Sequence, residues 1–273
     1  MPTLDVNGAT IAYTDSGRPK GRPTAETIVF GHGLLFSGWM FTAQIEALQN
    51  TYRCVAIDWR GQGASPKVRT DYDMDTLSLD AIALIEHLHV APVHYVGLSM
   101  GGFIGQRIAA RRPELVRSLT LLDTSAERES VPNFIQDMAL ANIYRLLGMG
   151  PLRSQVEKVM FGPTFRNDPK SKAIVDEWLG LLAACDRGAI RSAVMGVITR
   201  KGVLDEIGNI AAPTLVIAGA DDVPTPVSRS RTIVGAIKDA RLEIVPHSGH
   251  SSTIEQPDAV SALLTEFIGQ HSN

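Results

Sequence analysis

The chain has 273 residues but only two cysteines, Cys54 and Cys185. Two thiols so far apart make neither a metal-ligand spacing nor a disulfide framework, which excludes a zinc module and a disulfide-stapled fold. Neither lies in a glycine-rich turn at a helix start, the setting that activates a cysteine nucleophile. Cys54 sits in the apolar run 54–57 and reads as a small buried residue. Charge of one sign is also scarce. The formal net charge is −3 and Lys and Arg are scattered, so nucleic acid is not expected as a partner. No stretch approaches the roughly 18 apolar residues of a membrane span. The opening MPTLDVNG lacks the basic-then-apolar pattern of a secretory leader. A cytoplasmic protein with no membrane partner is therefore expected, and oligomeric state is not legible. Internal repeats and low-complexity tracts are absent as well, which excludes a solenoid.

What is present is core material, since 44% of the residues are hydrophobic. The length suits one compact domain carrying an insertion. Strand signals recur at residues 3–6, 10–13, 27–30, 52–57, 93–96 and 119–122. Asn7-Gly8 between the first two is a two-residue hairpin signal. Helical patterns alternate with the later strands, at 42–49 and at 74–87, where Leu77, Ile82, Leu84, Ile85 and Leu88 make an apolar face. Strands alternating with helices predict a parallel sheet covered on both faces, and the hairpin predicts an antiparallel edge. The alternation stops at about residue 126. From there to about 208 helix follows helix, with Ile135, Ala139, Ile143 and Leu147 sharing one apolar face. It resumes with strands at 213–218 and 241–245 and a last helix near Pro257. The expected organisation is an α/β core at 1–125 and 209–273, interrupted by a helical cap at 126–208.

Gly97-Leu98-Ser99-Met100-Gly101 lies between the strand at 93–96 and a helical pattern. G-x-S-x-G in that context is a nucleophile elbow, in which glycines permit a turn sharp enough to expose the serine hydroxyl. A serine hydroxyl is a poor nucleophile unless a base takes its proton and an acid fixes the base's tautomer. Where an elbow carries the nucleophile, the chain order is serine, acid, histidine, and the partners follow late strands. His250 and His247 both follow the strand at 241–245, and His250, in a Gly-His-Ser-Ser turn, is the preferred base. His87 and His89 end a helix, His94 is inside a strand, and His271 lies in a tail expected to be disordered. For the acid, Asp222 and Asp221 follow the strand at 213–218. Asp123, at the end of the strand at 119–122, is a rival. The charge that develops on a carbonyl oxygen under attack needs fixed donors, and losing one costs about 3 kcal/mol of barrier. The Met100 N–H supplies one, and the loop Gly31-His32-Gly33-Leu34-Leu35 the other. His32 reads as a loop stabiliser, and Asp58 with Arg60-Gly61-Gln62-Gly63 as a loop-shaping set.

These pieces resemble the α/β-hydrolase superfamily from about residue 28 to 268. Phe30-Gly31-His32-Gly33-Leu34 is similar to its oxyanion-loop motif and implies Leu34 as the second donor. Asp58-Trp59-Arg60-Gly61-Gln62-Gly63-Ala64-Ser65 is similar to its D-x-R-G-x-G-x-S loop. Gly219-Ala220-Asp221-Asp222 with Pro226 resembles the acid loop and implies Asp222. Gly249-His250 with Glu255 and Pro257 resembles the terminal histidine motif and implies His250. Within the superfamily the elbow GLSMGGFIGQ resembles esterases and lactonases, including 3-oxoadipate enol-lactonases and enzymes that open N-acyl-homoserine lactones. Serine at the elbow, rather than aspartate, departs from haloalkane dehalogenases and epoxide hydrolases.

The resemblance implies a serine hydrolase with no cofactor and no metal, acting on a small-molecule ester or lactone. The expected cap is rich in flexible apolar groups, of which Met138, Leu146, Trp178 and Met195 are candidate pocket residues. Such a surface suits apolar acyl groups. An enol-lactone carrying a free carboxylate would need a cation in the pocket, and Arg145, Arg153, Arg166, Arg191 and Arg200 are available. Perhydrolysis and carbon–carbon bond cleavage use the same triad. A ligand receptor built on a hydrolase fold is the non-enzymatic alternative.

Overall fold

The computed structural model describes residues 1–272. Its eight strands are β1 (Thr3–Val6), β2 (Ala9–Asp15), β3 (Thr27–Gly31), β4 (Arg53–Ile57), β5 (Val93–Leu98), β6 (Val116–Leu122), β7 (Thr214–Gly219) and β8 (Ala240–Val245). They form one sheet in the order β1-β2-β4-β3-β5-β6-β7-β8. β1 and β2 pair antiparallel through the Asn7-Gly8 turn, where both residues take positive φ (47° and 75°) as a type I′ turn requires. From β4 to β8 every pairing is parallel. This is the doubly wound α/β sheet with an antiparallel edge that the strand pattern predicts.

Helices α1 (Thr42–Leu48), α2 (Met74–His87) and α3 (Met100–Arg111) lie between the early strands. Five more, α4 (Val131–Leu147), α5 (Arg153–Met160), α6 (Pro163–Asn167), α7 (Ser171–Ala184) and α8 (Arg187–Ile198), fill the connection from β6 to β7. Then come α9 (Val227–Ala236), α10 (Ser252–Glu255) and α11 (Pro257–Gln270). Alternate strand residues feed two apolar layers. Val29, Tyr95 and Val216 pack toward α2 and α3, while Ile28, Phe30, Leu215 and Ile217 pack toward α1 and α11. Complete burial on both faces explains why these strands read as continuous apolar runs. Among the described residues no helix is long and apolar enough to cross a membrane.

The strand order places the site. β4 and β5 flank β3, so the chain leaves β3 toward one edge and returns on its other side. The crevice at the carboxyl ends of β3 and β5 is the switch point where such sheets bind ligands. Gly31 pairs with Gly97, which brings the loop after β3 against the turn after β5. A Cβ on Gly101 would run into the Gly31 carbonyl, so only glycine lets the two loops approach this closely.

Three expectations are corrected. Ile135, Ala139, Ile143 and Leu147 do share one apolar face, but it is turned to solvent rather than packed. Ile135 is 57% and Leu147 65% exposed, and α4 instead turns Asp137, Leu140, Ala141 and Tyr144 toward the protein. His271 packs its ring on Phe267, 4.7 Å between centroids, and is not a loose tail residue. His89 stands two residues beyond the end of α2, at a φ of 50°.

Candidate active site

Ser99 occupies the turn between β5 and α3 with φ 49° and ψ −110°, a conformation rare for a residue with a side chain. The strain lifts its hydroxyl off the end of the sheet. Ser99 Oγ is 2.9 Å from His250 Nε2. On the far side of the ring, His250 Nδ1 is 3.0 Å from each carboxylate oxygen of Asp222. A proton on Nδ1 donated to the carboxylate leaves Nε2 with a lone pair facing the Ser99 hydroxyl. The Thr225 N–H and hydroxyl donate to Asp222 at 3.0 and 2.7 Å and hold the carboxylate in place. All three residues are buried, with Ser99 8% exposed. Burial of the His250 ring works against protonation. The charge and hydrogen bond of Asp222, joined by Asp123 and Glu255, outweigh it and raise His250 above its ordinary 6.5.

The rivals have other partners. Asp123 is fully buried and accepts the Gly219 N–H (2.7 Å) and the Ser252 N–H (3.2 Å), bracing the loops that carry Asp222 and His250. Burial and the Asp222 charge push its carboxyl up. His247 is exposed, as is Asp221. His32 is buried in its loop: Nδ1 donates to the Gly33 carbonyl at 2.7 Å and Nε2 accepts the Trp59 N–H at 3.0 Å. Asp58 accepts the amides of Gly38 and Ala64, both at 2.8 Å. Arg60 makes a two-pronged ion pair with Asp80 (2.6 and 2.8 Å) that also ties down Asn7.

Met100 opens α3, so its N–H has no acceptor inside the helix. The Leu34 N–H likewise has no acceptor among the described residues. Gly33 brings Leu34 close to the elbow, since a Cβ on Gly33 would lie 3.6 Å from the Ser99 Cβ. Two amides without acceptors thus belong to the loop and the turn that meet at Ser99.

Ser99 and His250 open onto a cavity of about 170 Å³ between the sheet and the β6–β7 helices. Met149, Leu152, Val156 and Met160 make one wall, and Ile190, Val194 and Val197 of α8 another. Met138, Leu146, Trp178 and Met195 do not line it. Each residue turns an α-helix by about 100°. Met138 follows the cavity-facing Asp137 and Met195 follows Val194, so both turn aside, and Leu146 is 75% exposed. Trp178 is spent elsewhere: its indole N–H donates to the Leu35 carbonyl at 2.9 Å and its ring stacks on Phe36. It braces the Leu34 loop from behind. Of the five arginines only Arg200 reaches the cavity, with Glu129, Asp137 and Phe103, residues that sequence reasoning missed. The i, i+3, i+4, i+7 spacing of Asp137, Leu140, Ala141 and Tyr144 was the available signal, and its single acid masked it.

The loop bearing His250 is fastened to the β6–β7 helices. Glu255 accepts the N–H groups of Gly162 (2.8 Å), Gly249 (2.9 Å) and Ser251 (3.0 Å). The Ser251 hydroxyl donates to the Met160 carbonyl at 2.7 Å. A Cβ on Gly162 would stand 2.8 Å from the Gly249 nitrogen. No group of three or more His, Cys, Asp or Glu is placed to hold a metal ion among the described residues.

Residues 26–257 match the family model described as the alpha/beta hydrolase fold. The chain is 31% identical over 266 residues to a Mycobacterium tuberculosis protein named as a non-heme bromoperoxidase, BpoC, covering 94% of this chain and 97% of that one. It is 30% identical over 269 residues to 3-oxoadipate enol-lactonase 2 of Acinetobacter baylyi, covering 97% of each. The crystal structure of the enol-lactonase from Burkholderia xenovorans LB400 superposes with a TM-score of 0.89 at 25% identity, over 98% of this chain and 100% of that one.

Proposed function

The chain belongs to the alpha/beta hydrolase fold family, and from that premise we propose a serine hydrolase of carboxylic esters and lactones. The observation that carries this reading is the unbroken hydrogen-bonded line Ser99–His250–Asp222 opening onto an apolar cavity. In this reading Ser99 Oγ attacks the carbonyl carbon while its proton passes to His250 Nε2. The oxyanion takes the amides of Leu34 and Met100, and Asp222 steadies the imidazolium. The carbon–oxygen bond breaks as His250 returns the proton to the leaving alkoxide. In a lactone that alcohol stays tethered to the acyl-enzyme. Water, deprotonated by His250, then attacks the acyl carbon, and Ser99 recovers its proton as the acid leaves. Residues 126–208 act as the cap and residues 1–125 and 209–273 as the core, residue 273 lying outside the described residues.

The preferred substrates are lactones and esters with a short apolar acyl substituent, N-acyl-homoserine lactones among them. A cavity of about 150 Å³ holds a benzene-sized group, and this one is about 170 Å³. A panel of short- and long-chain acyl-homoserine lactones, 3-oxoadipate enol-lactone and p-nitrophenyl esters tests this. Butanoyl esters are expected to exceed dodecanoyl esters by about tenfold or more in kcat/KM. Preference for the enol-lactone by orders of magnitude would replace this reading with the second one, favoured by the names of two relatives. Absence of multiple turnover on every ester would favour a receptor.

The raised His250 sets the pH dependence. Only neutral imidazole can take the Ser99 proton. kcat/KM for a neutral ester should therefore climb with pH, with a midpoint above 6.5, and then level off. A profile flat from about pH 5.5 to 8.5 would remove His250 as the base.

A further inference from the structure

Apart from His250, the charged or ionisable side chains lining the mostly apolar cavity are Glu129, Asp137, Tyr144 and Arg200, beside the polar Ser99, Gln155 and Thr225. Arg200 is held through one nitrogen, its Nε being buried without a hydrogen-bond partner. Its Nη1 lies 3.0 Å from Glu129 Oε2 and donates to the Val197 carbonyl at 2.9 Å, and the guanidinium rests 4.1 Å above the Phe103 ring. Asp137 is different. It projects from the cavity face of α4, is half-buried, and has no hydrogen bond or ion pair among the described residues. Burial, with the Glu129 charge behind it, pushes its carboxyl up to about 6, against a weaker pull from Arg200. Above that pH the cluster holds two carboxylates and one guanidinium, a net charge of −1.

An unpaired carboxylate facing an apolar cavity is costly unless a donor completes it. A second carboxylate arriving there would meet like charge at a half-buried site, where screening is weaker than in bulk water. A neutral N–H or O–H, or an ammonium, would supply the missing donor. We propose that Asp137 sets the substrate class of this cavity: the short acyl group that fills it is apolar or ends in a neutral or cationic hydrogen-bond donor, and groups ending in a free carboxylate are rejected. Arg200, the one arginine of the five at the cavity, does not serve as a carboxylate receptor, because Glu129 neutralises it. This inference rests on the serine-hydrolase reading and separates its two substrate classes, since an enol-lactone bearing a free carboxylate falls in the rejected set.

The test compares two esters of equal length, monoethyl glutarate and its primary amide, ethyl glutaramate, at about pH 8 by pH-stat. For the unaltered protein, kcat/KM for the amide should exceed that for the carboxylate by about 100-fold. In Asp137→Asn the ratio should fall about tenfold, chiefly through KM. Because both esters are read on one preparation, the ratio does not depend on how much of the variant is folded. Equal rates for the two esters, or a ratio unchanged in Asp137→Asn, would overturn the proposal. Hydrolysis surviving in Ser99→Ala would overturn the serine-hydrolase reading instead. Ser99-dependent hydrolysis with a ratio near one would overturn the Asp137 assignment alone.

Discussion

Replacing Ser99 with alanine is expected to lower kcat on p-nitrophenyl butyrate by about 10⁴- to 10⁶-fold, with KM little changed. The substitution removes one oxygen whose side-chain partner is His250, 2.9 Å away. The free amides and the apolar cavity stay, so ground-state binding survives while the covalent route is lost. That size of effect corresponds to about 5–8 kcal/mol of barrier, more than a packing change at one small side chain supplies. Labelling by a serine-directed phosphonate should disappear in parallel. If the alanine variant turned over at the original rate, another nucleophile would be at work.

Asp222→Asn is expected to cost about 10⁴-fold in kcat with the structure intact. Both carboxylate oxygens face His250 Nδ1 at 3.0 Å. An asparagine can turn its NH₂ toward that nitrogen, which moves the ring proton to Nε2, where it confronts the Ser99 hydroxyl instead of receiving its proton. Asp123→Asn is the matched control. Asp123 touches two backbone amides and not the imidazole. Its replacement should therefore reduce kcat by no more than about tenfold, through slackened loops. Kinetics of the two variants on one ester, with thermal melts to confirm folding, decide the acid. A harmless Asp222→Asn beside an inactive Asp123→Asn would reassign it.

Much of this architecture was legible in the sequence because local signals agreed. Asn7-Gly8 demands a tight turn, and the fully buried parallel strands read as apolar runs. Gly97, Gly101 and the loops ending in Asp222 and His250 announced themselves by turn chemistry after strands. The cavity was not legible, for a physical reason. Among the β6–β7 helices the apolar stripe of α4 is outside, whereas the inward stripe carries Asp137. Hydrophobic periodicity reports which face is apolar and identifies the inner face only when the two coincide. Trp178 shows a second limit. Its bulk and burial fit a pocket wall, but its indole N–H needed an acceptor and found it in Leu35, behind the loop.

Glu255 collects amides from two parts of the chain, Gly162 between α5 and α6 and Gly249 and Ser251 beside the proposed base. This makes the helical insertion a poor candidate for wholesale exchange. A chimera that imports a relative's insertion must bring a residue as small as glycine to position 162 and an amide in register with Glu255. Without both, the graft and the His250 loop cannot share one carboxylate. Specificity can be rewritten cheaply along the inward residues of α4, α5 and α8, with the joint at 160–163 inherited unchanged.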